Sequence, residues 1–218
     1  MIDLTGMTPA AEQGWLVLFE LAAETTDDWL LVGGQMMLLS AAEHEAVLPR
    51  STDDVDIVVD VRSRPKGTQW LADWLQRRNF ELDGASAATS HGSSTWIYPG
   101  PDSQRGRRRR SDRIAQRPTV RSTGRVRRPN LLGALVIKAA ALTEIATRTD
   151  PARDWQDASL LLSVIPDPVA VAQLCTRRDR RRLQGLTPLL NRSHVGWATL
   201  TEEHYRRGAV TLDFLVGR

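Results

Sequence analysis

The stretch that most constrains this chain runs from Val32 to Val61, VGGQMMLLSAAEHEAVLPRSTDDVDIVVDV, where a glycine pair is followed by an acidic strand. Trp29–Val32 is a short apolar run that stops at Gly33-Gly34, as a buried strand running into a glycine turn does. Gln35 to Val47 is rich in Met, Leu, Ala and Glu and reads as a helix, and Pro49 to Thr52 reads as a loop. Val55 to Val61 alternates apolar and acidic residues and reads as a strand. Residues i and i+2 of a strand share a face, so Asp54 and Asp56 are expected side by side. Asp53 then points the other way, and Asp60 faces solvent. Two adjacent carboxylates repel each other unless a cation lies between them. Mg²⁺ is typically held by one or two carboxylates together with waters and substrate phosphates. A glycine pair lets the backbone approach a phosphate, and a helix behind it turns free N–H groups towards that anion. An acidic pair alone is common on exposed strands, and Gly-Gly alone is a tight turn. Their order in one short segment is the narrower signal.

Around this segment the pattern alternates and then becomes helical. Pro9 to Ala23 reads as an amphipathic helix with Trp15, Leu18, Leu21 and Ala22 on one stripe. Thr68 to Arg78 reads as a helix, Phe80 to Leu82 as a strand, and Ser94 to Tyr98 as a short strand. Leu131 to Thr147 is a strongly apolar helix, and Asp154 to Val164 is another, with Leu160, Leu161 and Leu162 buried. Asp167 to Leu174 and Arg182 to Leu190 suggest two more. The expected class is α+β: a small mixed-sheet head over residues 1–128, then a C-terminal helical region over residues 129–218.

Charge separates one stretch from the rest. Residues 84–128 are rich in Ser, Gly, Arg and Pro. Between Arg105 and Arg128 eleven arginines face one acid, a charge of +10, while the whole chain carries +3 and the remainder therefore −7. Such a block is a solvated segment or a nucleic-acid contact, with Arg107, Arg108, Arg109 and Arg110 as its densest part. Cys175 is the only cysteine, which excludes an intramolecular disulfide and fits a reducing cytoplasm. No apolar run reaches the roughly 18 residues that span a bilayer. The first residues lack a basic segment leading into an apolar one, so neither a membrane partner nor a secretory signal is expected.

The order apolar strand, Gly33-Gly34, helix, then Arg50-Ser51-Thr52-Asp53-Asp54-Val55-Asp56-Ile57 resembles the signature of the polymerase-β-like nucleotidyltransferase superfamily. Within it the chain is most similar to the AbiEii/AbiGii-type toxins, which include the MenT group. Two later motifs join the resemblance. One is a lysine inside an apolar helix, Lys138 in ALVIKAAAL. The other is a basic residue with Asp-x-x-Asp and leucines, Arg153-Asp154-Trp155-Gln156-Asp157-Ala-Ser-Leu-Leu-Leu. The likeness covers residues 28–62 and 129–163.

The resemblance implies a Mg²⁺-dependent nucleotidyltransferase. In that reading Asp54 and Asp56 hold the metal. Gly33, Gly34 and Ser51 receive the triphosphate, Lys138 neutralises phosphate charge, and Asp157 supports the site. The donor is an NTP and the acceptor an RNA 3′ end, that of a tRNA, with an antitoxin as a further partner in toxin–antitoxin or phage-defence biology. Lys138 also draws attention on its own. It is one of two lysines, set among Val, Ile and Ala, and it needs either a route to water or a partner such as Asp157. Asp154 is expected to cap its helix, and Arg50 and Ser51 are loop residues within reach of phosphate.

The chain departs from the superfamily at one point. A third carboxylate is expected on a neighbouring strand between residues 90 and 115, and the only acids there are Asp102 and Asp112, outside any strand-like setting. Residues 84–128 are therefore open to three readings: a basic RNA-binding loop, a disordered insertion, or a translated frameshift. Two rival functions also stand: a nucleotidyltransferase acting on a small molecule such as an aminoglycoside, and a catalytically decayed RNA- or protein-binding relative. His44, His91, His194 and His204 form no metal-ligand spacing.

Overall fold

The computed structural model describes residues 7–25, 28–47, 52–82, 96–97, 124–144 and 151–217. Arg50, Ser51, His91, Asp102, Arg107, Arg108, Arg109, Arg110 and Asp112 lie outside the described residues. The fold is mixed α and β and mostly helical. Its elements are α1 (Pro9–Glu24), β1 (Trp29–Val32), α2 (Gly33–Glu43), β2 (Asp56–Val59), α3 (Gly67–Gln76), β3 (Glu81–Leu82), β4 (Trp96–Ile97), α4 (Leu131–Glu144), α5 (Pro151–Val164), α6 (Pro168–Leu174), α7 (Arg177–Leu183) and α8 (Glu202–Val216), with 3₁₀ turns at Gln184–Leu190 and Val195–Trp197. Among the described residues the strands form two pairs, β1 with β2 and β3 with β4, in place of one mixed sheet. By proximity the chain divides into two compact units. One joins Met1–Val58 to Gly124–Arg218, and the other is Val59–Thr123.

The larger unit is built around apolar helices. In α1, Thr8 caps the first turn by accepting the Ala11 N–H at 3.2 Å, and Ala11, Trp15, Leu18 and Leu21 form the buried stripe. In α4, Ala134, Leu135 and Ala139 are fully buried, as are Ala158, Leu161 and Leu162 in α5. Burying each leucine stabilises by about 1.5–3 kcal/mol before chain entropy is counted, and each alanine by less. The segment leading into α4 runs beside β1, where the Leu31 N–H donates to the Arg127 carbonyl at 2.8 Å. Arg128 is ion-paired with Glu43 of α2. These two arginines, the last of the basic block, are part of the folded unit.

Two helices differ from the sequence expectation. The C-terminal helix α8 is not signalled by the sequence: Gly208, Thr211 and Val210 lower its helix propensity. Packing explains Gly208, since a Cβ there would come within 2.8 Å of the Trp197 ring. The arginine run of α7 is helical from Arg177, and the Gln184–Leu190 stretch that followed it in the expected helix is 3₁₀, with Pro188 inside it.

In the smaller unit, Trp74 of α3 is 1% exposed and lies under the Arg78 guanidinium, 3.6 Å from its ring centroid. β3 and β4 pair antiparallel, with Glu81 opposite Ile97 and Leu82 opposite Trp96. Asp60 is exposed and anchors a turn by accepting the Arg62 N–H at 2.9 Å. That bond, first among the causes, holds its carboxyl below the usual carboxylate range. No single helix among the described residues is long and apolar enough to cross a membrane.

Candidate active site

The glycine pair opens α2 itself, two residues earlier than the sequence suggests. Gly33 has φ +65°, a conformation that costs other residues about 1–2 kcal/mol. It also needs to lack a side chain, because a Cβ there would fall 1.8 Å from Asp56 Oδ2. The next residue, Gly34, donates its N–H to the Asp56 carboxylate, and a Cβ on Gly34 would collide with Thr52, 2.6 Å from its Cγ2. The two glycines thus fit the backbone of the α2 turn against the acidic segment. The residue before the helix, Val32, makes no capping bond, and the Asp56 carboxylate takes the Gly34 N–H in its place.

β2 begins at Asp56, with Asp54 just before it. Asp56 keeps an open face to solvent. Even so, its carboxyl is pushed above the ordinary value of 3.8, first by loss of surrounding water and then by the like charge of Asp54. Lys138, the Gly34 N–H and Arg153 pull the other way. An accessible but poorly hydrated carboxylate beside a second one favours a bound cation.

The approach to this strand is held from α1. Thr8 donates its hydroxyl to Asp53. The Trp15 indole N–H donates to Gln35 Oε1 at 2.9 Å, and Gln35 Nε2 donates to the Thr52 carbonyl at 2.7 Å. Gln35 is fully buried, so it ties α1, α2 and the acidic loop together.

The opposite wall comes from α4 and α5. Lys138 is 8% exposed, and its Nζ lies 2.7 Å from Asp157 Oδ2 and 3.1 Å from Asp154 Oδ1. Asp157, 2% exposed, pairs with Lys138 as its position in the sequence suggested. Asp154 lies in the first turn of α5, as expected, and its carboxylate also accepts from the Lys138 ammonium. Sequence reasoning gave no role to Arg153, Thr52 or Gln35. Arg153 acts on Asp56 electrostatically and reaches Thr52 Oγ1 at 3.4 Å. Its signal was present: residues 153, 154 and 157 share one face of a helix.

Gly33, Gly34, Asp56, Lys138, Asp154 and Asp157 therefore gather in the larger unit from two regions about 100 residues apart in sequence. Ser51 and Arg107–Arg110 lie outside the described residues. Among the described residues no group of three acidic, His or Cys side chains is placed to share a metal ion. Compared with protein-family models, curated proteins and solved structures, the chain matches none of them.

Proposed function

We propose that this chain is a Mg²⁺-dependent nucleotidyltransferase that moves a nucleotide from an NTP to the 3′ end of an RNA, a tRNA in the closest reading. What carries this is the carboxyl of Asp56, which the charges of Asp54, Lys138 and Arg153 all act on, beside a glycine turn into which a Cβ at Gly33 or Gly34 would not fit. Two basic side chains, two neighbouring carboxylates and a helix start close to them are what a triphosphate and its metal require. The donor set fits Mg²⁺. Two carboxylates, Asp54 and Asp56, leave the remaining positions to water and phosphate, and the raised Asp56 pKa marks charge that a cation relieves. When bound, the metal supplies charge stabilisation at the phosphate undergoing transfer.

The chain's own residues do the rest by positioning. Gly33 and Gly34 seat the start of α2 against Asp56 and Thr52, so the triphosphate they help receive lies beside that helix start on the Asp56 metal. Lys138, held between Asp154 and Asp157, presents a fixed cation, and Arg153 adds a second. An acceptor hydroxyl attacks the α-phosphate in line and pyrophosphate leaves. Growth arrest or phage defence, restrained by an antitoxin, is the biological setting this reading implies. Purified chain incubated with labelled NTPs, Mg²⁺ and total tRNA tests it, with Asp56→Ala as control. Labelled tRNA that disappears in the variant is the expected result. Label on a small acceptor such as an aminoglycoside instead replaces the RNA reading, and failure to bind any NTP removes the enzyme reading.

A further inference from the structure

The helix α7 has the sequence RRDRRRL: five arginines and one aspartate, a charge of +4 in seven residues. Elsewhere between residues 165 and 217 the charges are Arg192, Arg206 and Arg207 against Asp167, Glu202, Glu203 and Asp213, or 3 − 4 = −1. The positive charge of the C-terminal region is thus concentrated on one short helix. Its single acid is committed to the helix start. Asp179 accepts the Thr176 N–H at 3.0 Å and the Thr176 hydroxyl at 2.7 Å, which completes a capping box. Arg180 is tied back to the Ala172 carbonyl at 2.6 Å. Arg177, Arg178 and Arg181 are exposed, and among the described residues Arg177 and Arg181 make no hydrogen bond or ion pair.

The arginines of the last turn suit the helix dipole, but folding does not favour the rest of the arrangement. Arg177 and Arg181, and likewise Arg178 and Arg182, are like charges at i,i+4, a destabilising spacing. Arg177 and Arg178 also sit in the first turn, where the helix dipole repels cations. A polyanion along this face reverses both effects. A lipid surface fits less well, because the only apolar residue of α7, Leu183, is fully buried and nothing on the helix can insert.

We propose that α7 is a docking surface for the phosphodiester backbone of an RNA strand, contacted by Arg177, Arg178 and Arg181. The choice of RNA rests on the transferase reading above. The placement suits that reading. Gly185, just after α7, packs on Thr143 of α4, 2.3 Å from its Cγ2 if a Cβ is added. Thr143 lies five residues, about 7.5 Å along the axis, beyond Lys138. The helix that bears the docking arginines thus packs against the helix that carries the candidate phosphate lysine.

The test is fluorescence anisotropy of full-length protein with a labelled RNA hairpin bearing a single-stranded 3′ end. It is run in EDTA without NTP over a range of salt, beside duplex DNA and anionic vesicles. The triple variant Arg177→Gln, Arg178→Gln, Arg181→Gln is expected to bind RNA about tenfold more weakly, and to lower the slope of log affinity against log salt by about 2. The corresponding triple lysine variant should keep both, and circular dichroism should show both variants folded. An unchanged slope overturns the proposal, and so does binding to vesicles in preference to RNA, or to duplex DNA as well as to RNA. The outcome separates from that of the transferase reading, since catalysis is absent from the binding assay. Nucleotide transfer with an unchanged slope removes only the surface, and a lowered slope in a protein that transfers nothing removes only the enzyme.

Discussion

The two walls of the candidate site solve opposite electrostatic problems. On the strand side, Asp56 faces Asp54 with its carboxyl poorly hydrated and pushed above its ordinary pKa. On the helix side, Lys138 is buried, but two carboxylates lie within 3.1 Å of its ammonium. One wall carries charge that is costly as it stands, and the other carries charge already compensated. The contrast separates residues placed for something outside the chain from residues that also hold the chain together. Removing the charge of Asp56 and removing that of Lys138 should therefore move stability in opposite directions while both abolish transfer.

The largest effect is expected at Lys138. Lys138→Met leaves Asp157 buried without its ammonium, and breaking a buried pair from one side costs about 3–5 kcal/mol. Urea unfolding should show it, and the double variant Lys138→Met, Asp157→Leu should recover much of the loss. A single variant as stable as the parent would place Lys138 in water and end the contrast. Gly33→Ala comes next. The positive φ and the displaced Asp56 carboxylate together should cost about 2–3 kcal/mol. Adding Asp56→Ala should return part of this, and strictly additive losses would mean that the two residues do not touch. Gln35→Leu leaves the Trp15 indole and the Thr52 carbonyl without their partner, at about 1–3 kcal/mol in thermal unfolding.

The smallest effect has the opposite sign. Asp56→Asn removes a carboxylate whose charged form is disfavoured, so without metal it should stabilise the fold, by no more than about 1 kcal/mol because water screens the open side. The pH dependence follows from the raised pKa. Asp56 binds its proton more tightly folded than unfolded, so the wild type loses this contribution as pH rises from about 4 through the folded value. The advantage of the Asn variant should be absent below that window and complete above it. Melting curves across the acid range in EDTA would show it, and an Asn variant that is less stable at neutral pH would contradict the account.

Much of the strand wall could be read in the sequence because its signals are local. Gly33-Gly34 and the alternation from Val55 lie within one short segment, and period-two patterning places Asp54 and Asp56 without tertiary information. Lys138 and Asp157 were legible as oddities, a cation and an acid in apolar helices. Their pairing depends on how α4 packs against α5. Asp154 stands in the first turn of its helix, as its local preference suggested, while its contact with Lys138 is tertiary and left no local signal. Gln35 gave no signal because a buried glutamine is defined by its two partners, Trp15 and Thr52, neither of them local. α8 was hidden by Gly208, whose value lies in its contact with Trp197.

The central claim is that the two walls form one site for a metal-bound triphosphate. Calorimetric titration of each NTP into the protein, with Mg²⁺ and with EDTA, tests it most directly. Binding that requires Mg²⁺ and is lost in Asp56→Asn, a variant that stays folded, is the expected result. Binding that is unaffected by Asp56→Asn, or no binding of any NTP to the folded wild type, would contradict it.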